Sequence, residues 1–245
     1  MQKLILIVVV ATVMLACKYE AEEAQKVVDA AIKAHGQDQL TDTRVSFTFR
    51  DRTYTVSRTD STYTYTRMFI DSLELIEDVL INSTEFVRLV NGDTSSLPDS
   101  MVTKYSNSVN SVLYFVQLPY LLNDMAVVKS YEGTQTIDNN IYDIIKVQFK
   151  PKGGGKDYED EYRYWFNQKN HLLDYMAYSY ETDGGGVRFR EAFNRLERNG
   201  IMFQDYVNYE VPVGTPLQKI PLLYEADKLK VLSKIINEKI SVQRL

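Results

Sequence analysis

Five clusters of turn-forming residues punctuate the second half of the chain: Asp138-Asn139-Asn140, the glycine run within 151–156, Gln168-Lys169-Asn170, the glycine run at 184–186, and Asn199-Gly200. Connections this short carry no crossover to a parallel neighbour, so the segments between them must run antiparallel. Strands are predicted near 127–137, 141–150, 158–166, 171–181, 187–197 and 201–211, in sequence order as a meander. If Asn199-Gly200 is a two-residue turn, Arg198 faces Ile201, and Phe193, Ala192 and Arg190 face Tyr206, Val207 and Tyr209.

The first half of the chain alternates with period two. Val45, Phe47 and Phe49 share one side of a strand, and Tyr63 and Tyr65 alternate with threonines in another. Further strands are predicted at Leu73–Val79 and Glu85–Val90, before the turn at Asn91-Gly92. Two segments follow helical spacing instead. Ala24, Val27, Val28, Ala31 and Ile32 form one apolar stripe between Ala21 and His35. Met101, Tyr105, Val109, Val112 and Val116 form another, with Asp99 or Ser100 as its cap and Pro119 beyond its end. The second helix divides the strands into two groups. The tail from Leu229 to Val242 fits strand and helix equally and is read as a strand pair.

The N-terminus has Lys3, an apolar run from Leu4 to Val13, and then Met14-Leu15-Ala16-Cys17. That run is shorter than the ~20 residues a membrane-spanning helix needs, and its build is that of a secretory signal peptide. The tetrapeptide resembles the bacterial lipobox, with Met14 at the usual leucine position. The resemblance implies acylation of Cys17, the only cysteine, and anchorage to a membrane without a transmembrane helix. Residues 1–16 are thus read as a lipoprotein signal peptide, 17–20 as the lipidated tether and 21–245 as a single β-rich domain.

Processing would remove Lys3 and move the formal charge from −5 to −6. An acidic chain without a basic block argues against nucleic acid as a partner. With 44% hydrophobic residues and 11 glycines the chain can build a full core.

The stretches SYEGTQTIDNNIYDIIKVQF, EYRYWFNQKNHLLDYMAYSY and VRFREAFNRLERNGIMFQDYVNY together resemble an uncharacterised family of Bacteroidota lipoproteins. YWFNQKNHLLDYM and the hairpin rhythm are more distantly similar to the outer-membrane lipoprotein-sorting carrier superfamily. The resemblance implies an α+β fold: a curved antiparallel sheet, open as a half-barrel, with a short N-terminal helix and the mid-chain helix covering the concave face. It also implies an address in the cell envelope, at the outer membrane, and a lipid or acyl chain as partner. It transfers no catalytic residue.

His35 and His171 are the only histidines and lie far apart, so neither metal nor cofactor is expected. His35 reads as a cation at the end of the first helix. The glycine runs lack phosphate-loop spacing and open no helix, and no nucleophile elbow is present. Two constellations remain. Phe47, Phe49, Tyr63, Tyr65, Tyr162, Tyr164, Phe166 and Tyr178 occupy alternating strand positions, which suits either an aromatic-lined binding wall or plain core packing. Arg188, Arg190, Asp205 and Asn208 lie in one hairpin as a polar anchor, with Arg190 and Asp205 either ion-paired or facing a ligand. The functional expectation is a non-catalytic, membrane-anchored protein binding a hydrophobic or amphipathic ligand. The alternative is an envelope interaction module that docks a protein partner.

Overall fold

The computed structural model describes residues 19–151, 160–181 and 184–245. The chain divides into two compact units that it visits alternately. Of the described residues, one unit comprises those within 19–34, 122–193 and 207–233, and the other comprises 35–121, 194–206 and 234–245. The class is the expected one, α+β with open antiparallel sheets.

The second of these units holds β1 (Thr43–Phe49), β2 (Arg52–Arg58), β3 (Tyr63–Asp71), β4 (Glu74–Ile81), β5 (Glu85–Val90), β6 (Asp93–Ser95) and β14 (Glu238–Arg244). Their order is β14-β1-β2-β3-β4-β5-β6. Tight turns set the registers. Asn91 and Gly92 both take positive φ, as a two-residue hairpin connection requires, and Ser72-Leu73 does the same between β3 and β4. The mid-chain helix α2 (Asp99–Val116) starts after Pro98 with no side-chain cap, so neither Asp99 nor Ser100 caps it. Asp99 instead sits in the first turn, where the helix dipole favours an acid. Its buried Val109, Leu113 and Val116 pack on Val45, Phe47, Tyr54, Val56, Tyr65 and Leu80. The sheet therefore has an inner face, under α2, on which every second residue is buried.

The other unit carries α1, helical over residues 19–34, with Ala24, Val28, Ala31 and Ile32 buried along one stripe. Its sheet is built from β7 (Val127–Ile137), β8 (Asn140–Phe149), β9 (Glu161–Asn167), β10 (Leu173–Tyr180), β11 (Gly186–Arg198), β12 (Ile201–Val211) and β13 (Lys230–Ile235), in the order β13-β12-β11-β10-β9-β8-β7, with residues 194–206 of β11 and β12 and the end of β13 falling in the other unit. This is the predicted meander. One face is covered by Leu217 and by Ile220 and Tyr224 of the short helix α3 (Ile220–Glu225), against Trp165, Tyr175 and Phe189.

The tail does form two strands, but they do not pair with each other. β13 extends one sheet beside β12 and β14 extends the other beside β1. Asn199 and Gly200 have φ of 51° and 80°, the expected two-residue turn. Near this turn Asn194 bonds Asp205 and Arg195 bonds Gln204, the pairs that turn sets opposite. Further along β11, Glu191 accepts from Tyr209 and Phe189 packs on Tyr209, so Arg190 does not share a face with Tyr209 as predicted. Between these regions Asn194 takes positive φ (47°), which admits a one-residue slip that reverses the facing of side chains beyond it.

Gly36 is fixed by close approach. At φ 63°, a Cβ there would lie 1.9 Å from the Gly200 carbonyl oxygen. The adjacent His35 carbonyl accepts from Met202 N–H, and the His35 side chain, at the end of α1, is buried.

Candidate functional site

The inner face of the β1–β6 sheet gathers four of the predicted aromatic residues. Phe47 stacks on Tyr54 at 5.6 Å, and Tyr63 lies 4.8 Å from Tyr65. Phe47 and Tyr65 are buried in the core under α2, whereas Phe49 and Tyr63 are half-buried at its border. The Tyr65 hydroxyl accepts from Gln117 Nε2 at 3.0 Å. Burial pushes its pKa up to about 12, although the neighbouring Arg58 pulls the other way, so it stays a neutral phenol in ordinary buffers.

Two clusters of charge that the sequence reading missed interrupt this apolar face. Register places Arg67, Asp78 and Arg88 side by side on β3, β4 and β5. Asp78 is completely buried; its carboxylate accepts from Arg67 Nε and Nη2 at 3.0 and 2.6 Å and from Arg88 Nε and Nη2 at 2.7 and 2.9 Å. Arg67 Nη1 also donates to Ser108 on α2, and Arg88 lies 3.8 Å over the Tyr105 ring. The bonds to Asp78 hold the Arg88 pKa above its usual value despite burial. The second cluster centres on Arg58 at the end of β2, with its guanidinium between the rings of Tyr63 and Tyr120. The sheltered part of this face thus carries three arginines, two of which share one carboxylate.

In the other unit, Tyr162 stacks on Tyr178 at 5.4 Å and on Tyr164 at 6.2 Å, and Phe166 continues the row. Arg190 lies over Tyr178 and donates to its hydroxyl at 2.8 Å, while Arg188 lies over Tyr180. Asn208 is buried on β12; its Nδ2 reaches Ser233 Oγ at 3.3 Å, and its Oδ1 has no donor among the described residues. Asp205 belongs to the unit of the β1–β6 sheet, where it accepts from Asn194 and from the Asn237 N–H. Arg190 and Asp205 are therefore engaged with separate partners in different units and do not form the ion pair that was one of the two expectations for them.

The opposite face of this sheet carries a second aromatic group. Tyr175, Tyr209 and Tyr224 surround Phe189, with Tyr142 beyond Tyr175. Glu191 accepts from Tyr209 at 2.8 Å. Burial, aided by the nearby carboxylates, drives the pKa of all four phenols up. Ring centroids 5.3–5.7 Å apart around Tyr224 leave no room for a guest, so this group is core. Cys17 lies outside the described residues, as do the glycine run at 153–155 and residues 182–183.

Among the described residues no three His, Cys, Asp or Glu side chains converge as a metal site, and no helix is long and apolar enough to cross a membrane. Asp78 is committed to two guanidinia and presents no free base.

No curated protein matches the chain. Solved structures similar to it include a LolA superfamily protein from Nitrosomonas europaea, with 11% identity, 78% of this chain and 87% of that chain covered, and a TM-score of 0.44. A DUF1329 family protein from Desulfovibrio piger matches at 12% identity over 75% of this chain and 85% of that one, with a TM-score of 0.41. The lipoprotein LppX of Mycobacterium tuberculosis matches at 15% identity over 66% and 90%, with a TM-score of 0.26. The match that covers most of the sequence, residues 3–237, is to a family defined by sequence, and the chain belongs to it: the family of unknown function DUF6503.

Proposed function

We propose that this chain is a lipid-anchored protein of the cell envelope, held at the outer membrane through Cys17, that binds a hydrophobic or amphipathic ligand such as a lipid or acyl chain without covalent chemistry. The observation that carries the ligand reading is the inner face of the β1–β6 sheet. At its border the half-buried Phe49 and Tyr63 supply apolar contact, and Arg58 beside Tyr63 supplies charge, over a floor formed by the buried Phe47 and Tyr65. Affinity would come from apolar burial, roughly 25 cal/mol per Å², and orientation from the polar groups. Native mass spectrometry of gently purified protein is expected to show one bound amphiphile. The anchor rests on Met14-Leu15-Ala16-Cys17. Cys17→Ser is expected to release the processed protein from envelope fractions; continued sedimentation of that processed variant would exclude the anchor.

A second reading, docking of an envelope protein partner, is favoured by the β3–β4 hairpin. Leu73 in its turn is 97% exposed at φ 72°, and Ile70 is 74% exposed, with Leu75 opposite it in register. A leucine there is disfavoured both by the left-handed backbone and by water, and contact with an apolar surface would offset the second of these. Leu73→Asp is expected to abolish capture of an envelope protein by cross-linking while leaving any bound amphiphile in place. Unchanged capture would remove this reading.

A further inference from the structure

We infer that Arg58 is a receptor for an oxyanion, a carboxylate or phosphate group. Arg58 follows the buried Tyr54 and Val56 at period two on β2, so its side chain belongs to the inner face. Its guanidinium carbon lies 4.8 Å from the Tyr63 ring centroid and 5.0 Å from that of Tyr120. Both rings lie within cation–π distance and hold the cation in place, and a planar guanidinium donates along its edge.

That edge is under-used. Nη2 donates to Gln117 Oε1 at 2.9 Å, and Gln117 is itself locked by its own bonds to Tyr65 and to the Leu113 carbonyl. Nε is buried and has no acceptor among the described residues. A guanidinium has five N–H groups; a neutral amide oxygen takes one, and the neutral Tyr65 hydroxyl beside it also interacts with the cation, but neither balances the charge.

The contrast with the other sheltered arginines is chemical. Arg67 and Arg88 share Asp78, and Arg163 has Glu132 and Glu161. Among the described residues Arg58 has no carboxylate within ion-pair distance. A sheltered cation without a counter-charge is costly, and an oxyanion that takes the guanidinium edge bidentately relieves that cost. Tyr65 stands beside this edge; its oxygen already accepts from Gln117, so its proton is left to donate. The flanking rings admit an apolar body attached to the anion, but the inference does not require one.

The test uses the full chain with labelled arginine in a non-ionic detergent, probed with inorganic phosphate, decanoate and decanol below their aggregation limits. The Arg58 Nε–H resonance is expected to shift saturably with decanoate or phosphate and to ignore decanol. Arg58→Gln is expected to weaken decanoate binding roughly tenfold and leave decanol unchanged, with Arg58→Lys intermediate. A shift with phosphate that decanoate does not surpass identifies a free anion as the ligand, whereas tighter decanoate binding identifies an amphiphile headgroup. If phosphate shifts Arg58 and neither decanoate nor decanol binds, the oxyanion site stands and the amphiphile reading of the function fails. An Nε–H that responds to neither anion overturns the inference, even if the glutamine variant does not fold.

Discussion

The two sheets solve the same problem, a row of charges across three neighbouring strands, in opposite ways. On β3–β4–β5 a dry row of Arg67, Asp78 and Arg88 leaves two cations on one carboxylate. On β7–β8–β9 Arg163 bonds Glu132 and Glu161, and Lys146 bonds Glu161, so charges balance and three of the four members keep contact with water. A balanced, wetted network is ordinary structural reinforcement. A dry row with surplus positive charge is expensive to build and adds specificity of pairing at most, unless an anion completes it.

The largest expected effect breaks that contrast at its dry end. Asp78→Ala leaves two buried guanidinia without their carboxylate and is expected to cost about 3–5 kcal/mol in urea unfolding. A loss below 1 kcal/mol would mean that water reaches the row. Next comes a steric limit in the same unit. Gly36→Ala must push a Cβ into the Gly200 carbonyl at a positive φ and is expected to cost about 2–4 kcal/mol.

The wetted network should yield far less. Glu132→Gln is expected to cost about 1 kcal/mol, because solvent screens the pair. Its pH signature follows from Glu161, whose pKa falls below 4.5 because Lys146 and Arg163 outweigh the effect of burial. The folded pKa is the lower one, so this contribution is present above pH 4.5 and is lost as pH falls through the folded value. At alkaline pH the units exchange roles. Tyr65, raised from 10.0 to about 12, gives a contribution that is complete below pH 10 and lost as pH rises toward 12. Tyr142, Tyr175, Tyr209 and Tyr224 are raised further, so their phenolate absorbance should appear only with unfolding, and later than that of the exposed tyrosines. The chain passes five times between the units, and a single cooperative thermal transition is the smallest effect predicted.

The antiparallel architecture was legible because alternation and turn chemistry agree along most strands. β5 was predicted to the residue, and α2 to within its ends. β2 escaped notice because Thr53, Thr55 and Ser57 dilute an alternation whose inward positions are Arg52, Tyr54, Val56 and Arg58. β6 is three residues long, too short for a period to show. The separation of β13 from β14 depends on which sheet edges are open, and that is not a local property. Within the site, the aromatic positions could be read by period, but the Arg190–Asp205 pairing could not survive the positive φ at Asn194. The Arg67–Asp78–Arg88 row had a readable signal. Counting outward from a two-residue turn at Ser72-Leu73 sets Arg67 against Asp78, and counting from the loop at 82–84 sets Asp78 against Arg88.

The most direct test of the ligand-binding account is native mass spectrometry of the gently extracted protein. The account predicts a population carrying one amphiphile, lost on organic extraction and regained on addition of decanoate. A protein that emerges bare and takes up neither decanoate nor decanol would contradict it.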